Sequence, residues 1–158
     1  MKIQVLWVVF VLGAGLLLVG CGGAPAAPSS SEAAVLTIVS GEKEQDYNLA
    51  DLRTLPAAEI RYTSKETGEE NSYRGVRLKD LLAAAGANLE SLNTVEVEAE
   101  DGFIATYDRE VALRDTSVLV YEMDGGPLLE SMGQVRMLSP GEGTKLQVKF
   151  VARLEVRD

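Results

Sequence analysis

Residues 145–157 carry a period-two pattern with almost no break. Leu146, Val148, Phe150, Ala152, Leu154 and Val156 take every second position. Lys145, Gln147, Lys149, Val151, Arg153, Glu155 and Arg157 take the positions between. Successive side chains of an extended strand point to opposite faces, so this period predicts a long strand with one apolar and one polar face. Such a strand belongs in a mainly antiparallel sheet, which tolerates water on one side.

The rest of the chain supplies partners for it. Residues 35–39 and 45–48 read as strands around Gly41-Glu42-Lys43, a hairpin signal. Asn48 is placed to cap a short helix over 49–54, which Pro56 stops. Residues 58–63 and 71–76 read as strands around the polar tip 65–70. Leu78, Leu81, Leu82 and Ala85 share one helical face, and Gly86 ends that helix. Val95, Val97 and Ala99 alternate with Glu96, Glu98 and Glu100, and Asp101-Gly102 turns the chain into a strand over 103–107. Asp108 is placed to cap a helix through Leu113, and a strand over 118–123 follows. The expected fold class is a β-rich α+β domain of mainly antiparallel sheets with a few short helices.

The N-terminus sets the compartment. Lys2 precedes an apolar run over 3–20, interrupted only by Gln4, and the run closes on Leu18-Val19-Gly20-Cys21. This resembles a lipobox, cut before Cys21 and lipidated on its thiol. A membrane-spanning helix of about 18 residues and an ordinary secretory signal are the other readings of the run. Residues 22–33, rich in Gly, Ala, Pro and Ser, read as a flexible tether. The expected organisation is a signal peptide over 1–20, lipidated Cys21 and tether over 21–33, and one domain over 34–158. The expected location is extracytoplasmic, anchored to a bacterial membrane through the lipid on Cys21, since acyl chains contribute about 0.8 kcal/mol per buried methylene.

Composition then removes chemistries. The chain has no histidine, and Cys21 is its only cysteine. Ser-His-Asp and Cys-His catalysis, the usual zinc sites and an intramolecular disulfide are therefore excluded. The formal charge is −9. A surface of that sign repels phosphate backbones, so nucleic acid is not an expected partner.

Two charge clusters stand out. Glu96, Glu98, Glu100 and Asp101 crowd one strand face and its turn, yet neighbours on one strand face lie about 7 Å apart, too wide for one cation. A solvated face explains them better. Lys145, Lys149, Arg153 and Arg157 form a basic row, best explained by pairing with an acidic neighbouring strand.

Five ordered blocks carry a resemblance. They are Tyr73-Arg74-Gly75-Val76-Arg77-Leu78-Lys79-Asp80-Leu81-Leu82, Asp101-Gly102-Phe103, and Leu119-Val120-Tyr121-Glu122-Met123-Asp124-Gly125-Gly126-Pro127-Leu128. Val135-Arg136-Met137-Leu138-Ser139-Pro140-Gly141 and Val148-Lys149-Phe150 complete the set. Together they resemble the molybdopterin-binding domain of the sulfite oxidase superfamily, in a small single-domain form. The resemblance implies a metal-ligating cysteine just after the strand at residues 59–62, where this chain reads Thr63-Ser64-Lys65. It implies a histidine shortly before Arg136, where the chain reads Ser131-Met132-Gly133-Gln134. It also implies a lysine and a serine where Leu146 and Gln147 stand.

A hydroxyl is a poor substitute for a thiolate toward molybdenum. The expected function is therefore a binding or accessory module that takes a small anion or an envelope protein, with no catalytic residue, no metal and no cofactor. Arg61, Arg136 and Lys149 are its candidate anion-binding residues. The alternatives are a molybdopterin-dependent oxidoreductase with an atypical ligand set and a purely structural envelope lipoprotein.

Overall fold

The computed structural model describes residues 33–65 and 67–158. Cys21, the apolar run before it and nearly all of the tether lie outside the described residues. The chain runs β1 (Leu36–Ser40), β2 (Lys43–Tyr47), α1 (Leu49–Thr54), β3 (Ala57–Thr63), β4 (Glu70–Arg77) and α2 (Leu78–Ala84). It continues with β5 (Thr94–Ala99), β6 (Ile104–Asp108), α3 (Arg109–Ala112), β7 (Val118–Met123), β8 (Gly126–Pro127), β9 (Arg136–Leu138) and β10 (Val151–Arg157).

The strands form two five-stranded sheets. The first has the order β2-β1-β10-β5-β6, and only the β1–β10 pair is parallel. The second has the order β3-β4-β7-β8, with β9 also paired to β7. All its pairs are antiparallel. This is the β-rich α+β class read from the sequence.

Local chemistry explains the short helices. In α1 the Asn48 side chain accepts from the Asp51 N–H at 2.8 Å, and the Asp51 carboxylate accepts from the Asn48 N–H at 3.1 Å. Such a reciprocal cap is worth about 1 kcal/mol. It lets six residues hold a helix that buries Leu52 completely. Asp108 caps α3 from one side only, accepting from the Val111 N–H at 2.9 Å. Helix α2 has no side-chain cap and is held by packing. Leu78, Leu81 and Leu82 are all fully buried, each worth about 1.5–3 kcal/mol.

The main core joins the two sheets: Leu36, Val95, Val97 and Leu154 of the first meet Val76, Leu119 and Met137 of the second, with Leu52 of α1 and the leucines of α2 in the same cluster. A smaller cluster of Ala58, Tyr62, Tyr73, Val118, Val120 and Leu138 lines the other face of the second sheet. Gly75 couples β4 to β7, because a Cβ there would stand 2.0 Å from the Leu119 carbonyl oxygen. The β4–β7 register shifts at that point.

One expectation needs correction. The strand predicted over residues 145–157 begins only at Val151. Residues Thr144–Leu146 form a 3₁₀ turn, and Phe150 has φ +53°. The Phe150 N–H donates to the Met132 carbonyl at 2.9 Å, and its carbonyl accepts from the Glu100 N–H at 2.9 Å. Both of its backbone groups are thus taken by loops. A register shift between Val151 and Arg153 then changes the phase. Val151, expected on the outer face, is buried, whereas Phe150 and Leu146, expected in the core, are half-buried. Period two reports face preference residue by residue and is blind to a single left-handed residue.

The basic row divides along the same break. Arg157 pairs with Glu96 on the neighbouring β5 at 3.1 Å, as expected from the sequence, whereas Arg153 reaches Glu44 on β2 at 3.6 Å, one strand beyond its neighbour β1. Lys149, before the break, turns toward the second sheet. Among the described residues no group of three or more His, Cys, Asp or Glu side chains is placed to hold a metal ion.

Candidate functional site

Strand β9 is three residues long and wholly buried, and it places a charged residue in that buried stretch. Its pairing with β7 sets Arg136 opposite Val120. Arg136 is only 7% exposed. Its guanidinium lies over the Tyr62 ring, 5.9 Å from the centroid, and its NH1 group donates to the Met132 sulfur at 3.5 Å. Its Nε is buried with no hydrogen-bond partner. No ion pair joins Arg136 to a carboxylate among the described residues.

This is an unbalanced arrangement. Burying an unpaired charge costs several kcal/mol, even after relaxation. An aromatic face returns about 0.5–2 kcal/mol, and a thioether is a weak acceptor. A guanidinium has five donors, and most of their capacity here is unspent on protein acceptors.

Arg136 borders a cavity of about 200 Å³. Its rim comes from every element of this side of the molecule. Ser64, Thr67 and Glu69 come from the loop after β3, Asn71 and Tyr73 from β4, and Met123 from β7. Leu129, Ser131 and Met132 come from the segment around the 3₁₀ turn Glu130–Met132, and Lys149 from the segment before β10. The loop after β3 is held tightly. The Ser64 N–H donates to the Glu69 carbonyl at 2.8 Å, and the Ser64 carbonyl accepts from the Gly68 N–H at 2.8 Å. The Ser64 hydroxyl also accepts from the Thr67 N–H at 3.3 Å. Tyr73 is 2% exposed, and burial pushes its phenol above the usual range, with the Arg136 charge working the other way.

Of the three candidate residues, the structure brings Arg136 and Lys149 into one cavity. Arg61 is not among its lining residues. Alternation along β3 puts Arg61 on the face opposite Tyr62, where its side chain is 80% exposed and pairs with Glu70 at 3.7 Å. Arg61 is therefore withdrawn from the site, for the reason that adjacent strand residues cannot share a face. Sequence reading missed Tyr62, whose buried ring faces Arg136. The signal was present in the same alternation, since Ala58, Ile60 and Tyr62 recur at every second position of β3.

The cavity also collects the two stretches at which the sequence departs from the resemblance. Ser64 stands after β3, where a metal-ligating cysteine is implied, and Ser131 and Met132 lie in the stretch where a histidine is implied. The polar groups lining the cavity are thus hydroxyls, a phenol, an amide, two thioethers, two cations and the Glu69 carboxylate. Small-molecule sites usually measure about 300–1,000 Å³. A cavity of about 200 Å³ with no thiolate does not fit a pterin-bound metal, whereas a single oxyanion group is of suitable size and charge.

Comparison with known proteins identifies the scaffold. The family model described as "Oxidoreductase molybdopterin binding domain" matches residues 25–158. Among solved structures, the sulfane dehydrogenase SoxCD from Paracoccus pantotrophus is similar, with a TM-score of 0.66 and 22% identity. The match covers 78% of this chain and 38% of that one, so the chain spans well under half of its solved relative. At that identity the likeness speaks for fold alone. No curated protein matches significantly. The family match over most of its length places the chain in the oxidoreductase molybdopterin-binding domain family.

Proposed function

We propose that this chain is a lipid-anchored extracytoplasmic module that uses the family scaffold to bind a small oxyanion, without catalysing a redox reaction. The observation that carries the reading is Arg136, a buried guanidinium with an orphaned Nε and no carboxylate, at the edge of a small polar cavity. Such a site is stabilised by a ligand that brings negative charge and acceptor oxygens.

The division of labour follows from residue chemistry. The planar guanidinium of Arg136 offers paired donors to two oxygens of a sulfate- or phosphate-type group. Lys149 adds a second positive charge at the same cavity. Ser64, Thr67 and Ser131 supply neutral hydroxyl donors. Glu69 sits at the rim and disfavours ligands of high charge density. The lipid on Cys21 would hold the domain at the membrane, where a ligand or an envelope protein carrying such a group is presented.

Titration calorimetry with sulfate and with phosphate tests this. The expected result is saturable binding that Arg136→Ala weakens by about tenfold or more, because a hydrogen bond to a charged group contributes about 1.5–3 kcal/mol. Arg61→Ala should change nothing. Binding that survives Arg136→Ala unchanged sinks the proposal. The anchor has its own test: Cys21→Ser should block lipidation and leave an unprocessed precursor. A mutant that is still processed and still fractionates into detergent argues against the lipoprotein reading.

The second reading is a molybdopterin-dependent oxidoreductase with an atypical ligand set. Family membership favours it, as does the coincidence of the cavity with the stretch after β3. Elemental analysis of protein from its own host, grown with molybdate, decides between them. Near-stoichiometric molybdenum together with a released pterin fluorophore would transfer the function to this reading.

A further inference from the structure

The segment that closes the Arg136 cavity has a second side. Leu129, Ser131, Met132 and Lys149 face the first cavity, while Leu128, Glu130, Gly133 and Phe150 face another of about 450 Å³. The same short stretches of chain therefore form a wall between two chambers. The chambers differ in character. The first is lined by Arg136 and Lys149. The second is walled by Leu49, Tyr121, Pro127, Leu128 and Phe150, with Glu100 and Glu130 as its acidic groups.

From this juxtaposition we propose that the second chamber is a binding site for a small organic cation with an apolar body, an amine or ammonium of aromatic type. Its volume falls inside the usual range for small-molecule sites, about 300–1,000 Å³. Charge selects the sign of the ligand. The one cation in its wall, Arg53, is paired with Glu122 at 3.4 Å, whereas no ion pair involves Glu100 or Glu130 among the described residues. The chamber thus carries uncompensated negative charge on a protein of net charge −9, a field that draws cations in.

The chain itself shows what this wall accepts. The Arg53 guanidinium lies over the Tyr121 ring, 5.7 Å from its centroid. A tethered cation already uses one aromatic face of the chamber, and the Phe150 ring supplies another surface of the same kind. Phe150 is held there at a cost. Its φ of +53° is unfavourable for a bulky side chain, and its backbone is fixed by the hydrogen bonds to Met132 and from Glu100. Gly133 leaves room for it, since a Cβ at Gly133 would come within 2.7 Å of the Phe150 Cα. The hydrogen bond from the Glu100 N–H to the Phe150 carbonyl joins the backbones of two residues that line the chamber.

The proposal does not rest on the oxyanion reading, and its test separates the two. The full chain in neutral-detergent micelles is titrated with 2-phenylethylammonium and with 2-phenylethanol, which share a body and differ in charge. Heat is measured, along with the backbone amide shift of Gly133. The ammonium should bind about tenfold more tightly than the alcohol and shift the Gly133 amide. The double variant Glu100→Gln/Glu130→Gln should bring the ammonium down to the affinity of the alcohol and leave the alcohol unchanged. Both carboxylates are exposed, so that variant is expected to fold. Arg136→Ala should leave ammonium binding intact while weakening sulfate binding by about tenfold or more. Equal affinity for the two probes, no heat and no shift in the millimolar range, or an unchanged ammonium affinity in the double variant would each overturn the proposal.

Discussion

At the centre of the first sheet, β10 lies between β1 and β5 with Leu154 opposite Val97, and both side chains are fully buried. In the wall between the two chambers, Phe150 and Met132 are half-buried, and backbone hydrogen bonds join three loops in place of a ladder. The sheet centre is stabilised by burial of apolar side chains and by strand pairing on both sides. The wall holds a left-handed phenylalanine, an interlocked glycine and, beside it, an arginine with an orphaned donor. The difference teaches where this scaffold spends stability. A regular core carries the fold, and beside the irregular wall a buried donor is left without a protein partner.

Substitution can break this contrast in order of severity. Leu154→Asp puts a charge at the sheet centre and should cost about 4 kcal/mol or more, read as a lowered denaturation midpoint in urea. Gly133→Ala sets a Cβ against the Phe150 backbone at a residue with φ +82°, and should cost about 2–4 kcal/mol in the same titration. It should also disturb both chambers at once, visible as weakened sulfate and ammonium binding.

Phe150→Asp is the sharper probe. An unbroken strand through residue 150 would make it as damaging as Leu154→Asp. The half-buried position and the positive φ, which aspartate tolerates better than phenylalanine, limit the loss to about 1–2 kcal/mol. Equal losses for the two variants would restore the unbroken strand.

Tyr107→Phe should have the smallest effect. The phenol of this fully buried residue donates to the Leu146 carbonyl at 2.5 Å, a bond worth about 1 kcal/mol. Burial raises its pKa, with the Ser139 hydroxyl acting weakly in the other direction. The folded state therefore keeps a proton that the unfolded chain releases above about pH 10. The stability linked to that proton is complete below pH 10 and falls as pH rises beyond it. Tyr107→Phe should flatten this alkaline decline in a pH series of urea titrations. An unchanged alkaline slope would assign the decline to other groups.

Much of the fold was legible locally. Asn48 and Asp108 predict their helices because a capping side chain reaches only its own first turn. Leu78, Leu81 and Leu82 predict α2 from spacing alone, and the acidic alternation over 95–100 predicts β5. The candidate site was legible only in part. Arg136 and Lys149 came from the resemblance and meet in one cavity, while Arg61 came with them and faces solvent. The second chamber was not legible in the sequence, because its wall brings together Leu49, Arg53 and Glu100 with parts of two separate motif blocks that only the fold makes neighbours.

The sequence by itself determined the class of sheet, the positions of the caps and the chemistry on offer. A chain with no histidine and one cysteine, at position 21, brings no thiolate to its domain, whatever its fold. Tertiary structure decided which cation is buried and which is solvated. It also decided where the last strand begins, and that one wall separates a cationic chamber from an acidic one. Propensities and caps act within a few residues, so they can be read from the chain. Arg136 lies against Tyr62 of β3 and Met132 of the 3₁₀ turn, and only the packed molecule brings those distances together.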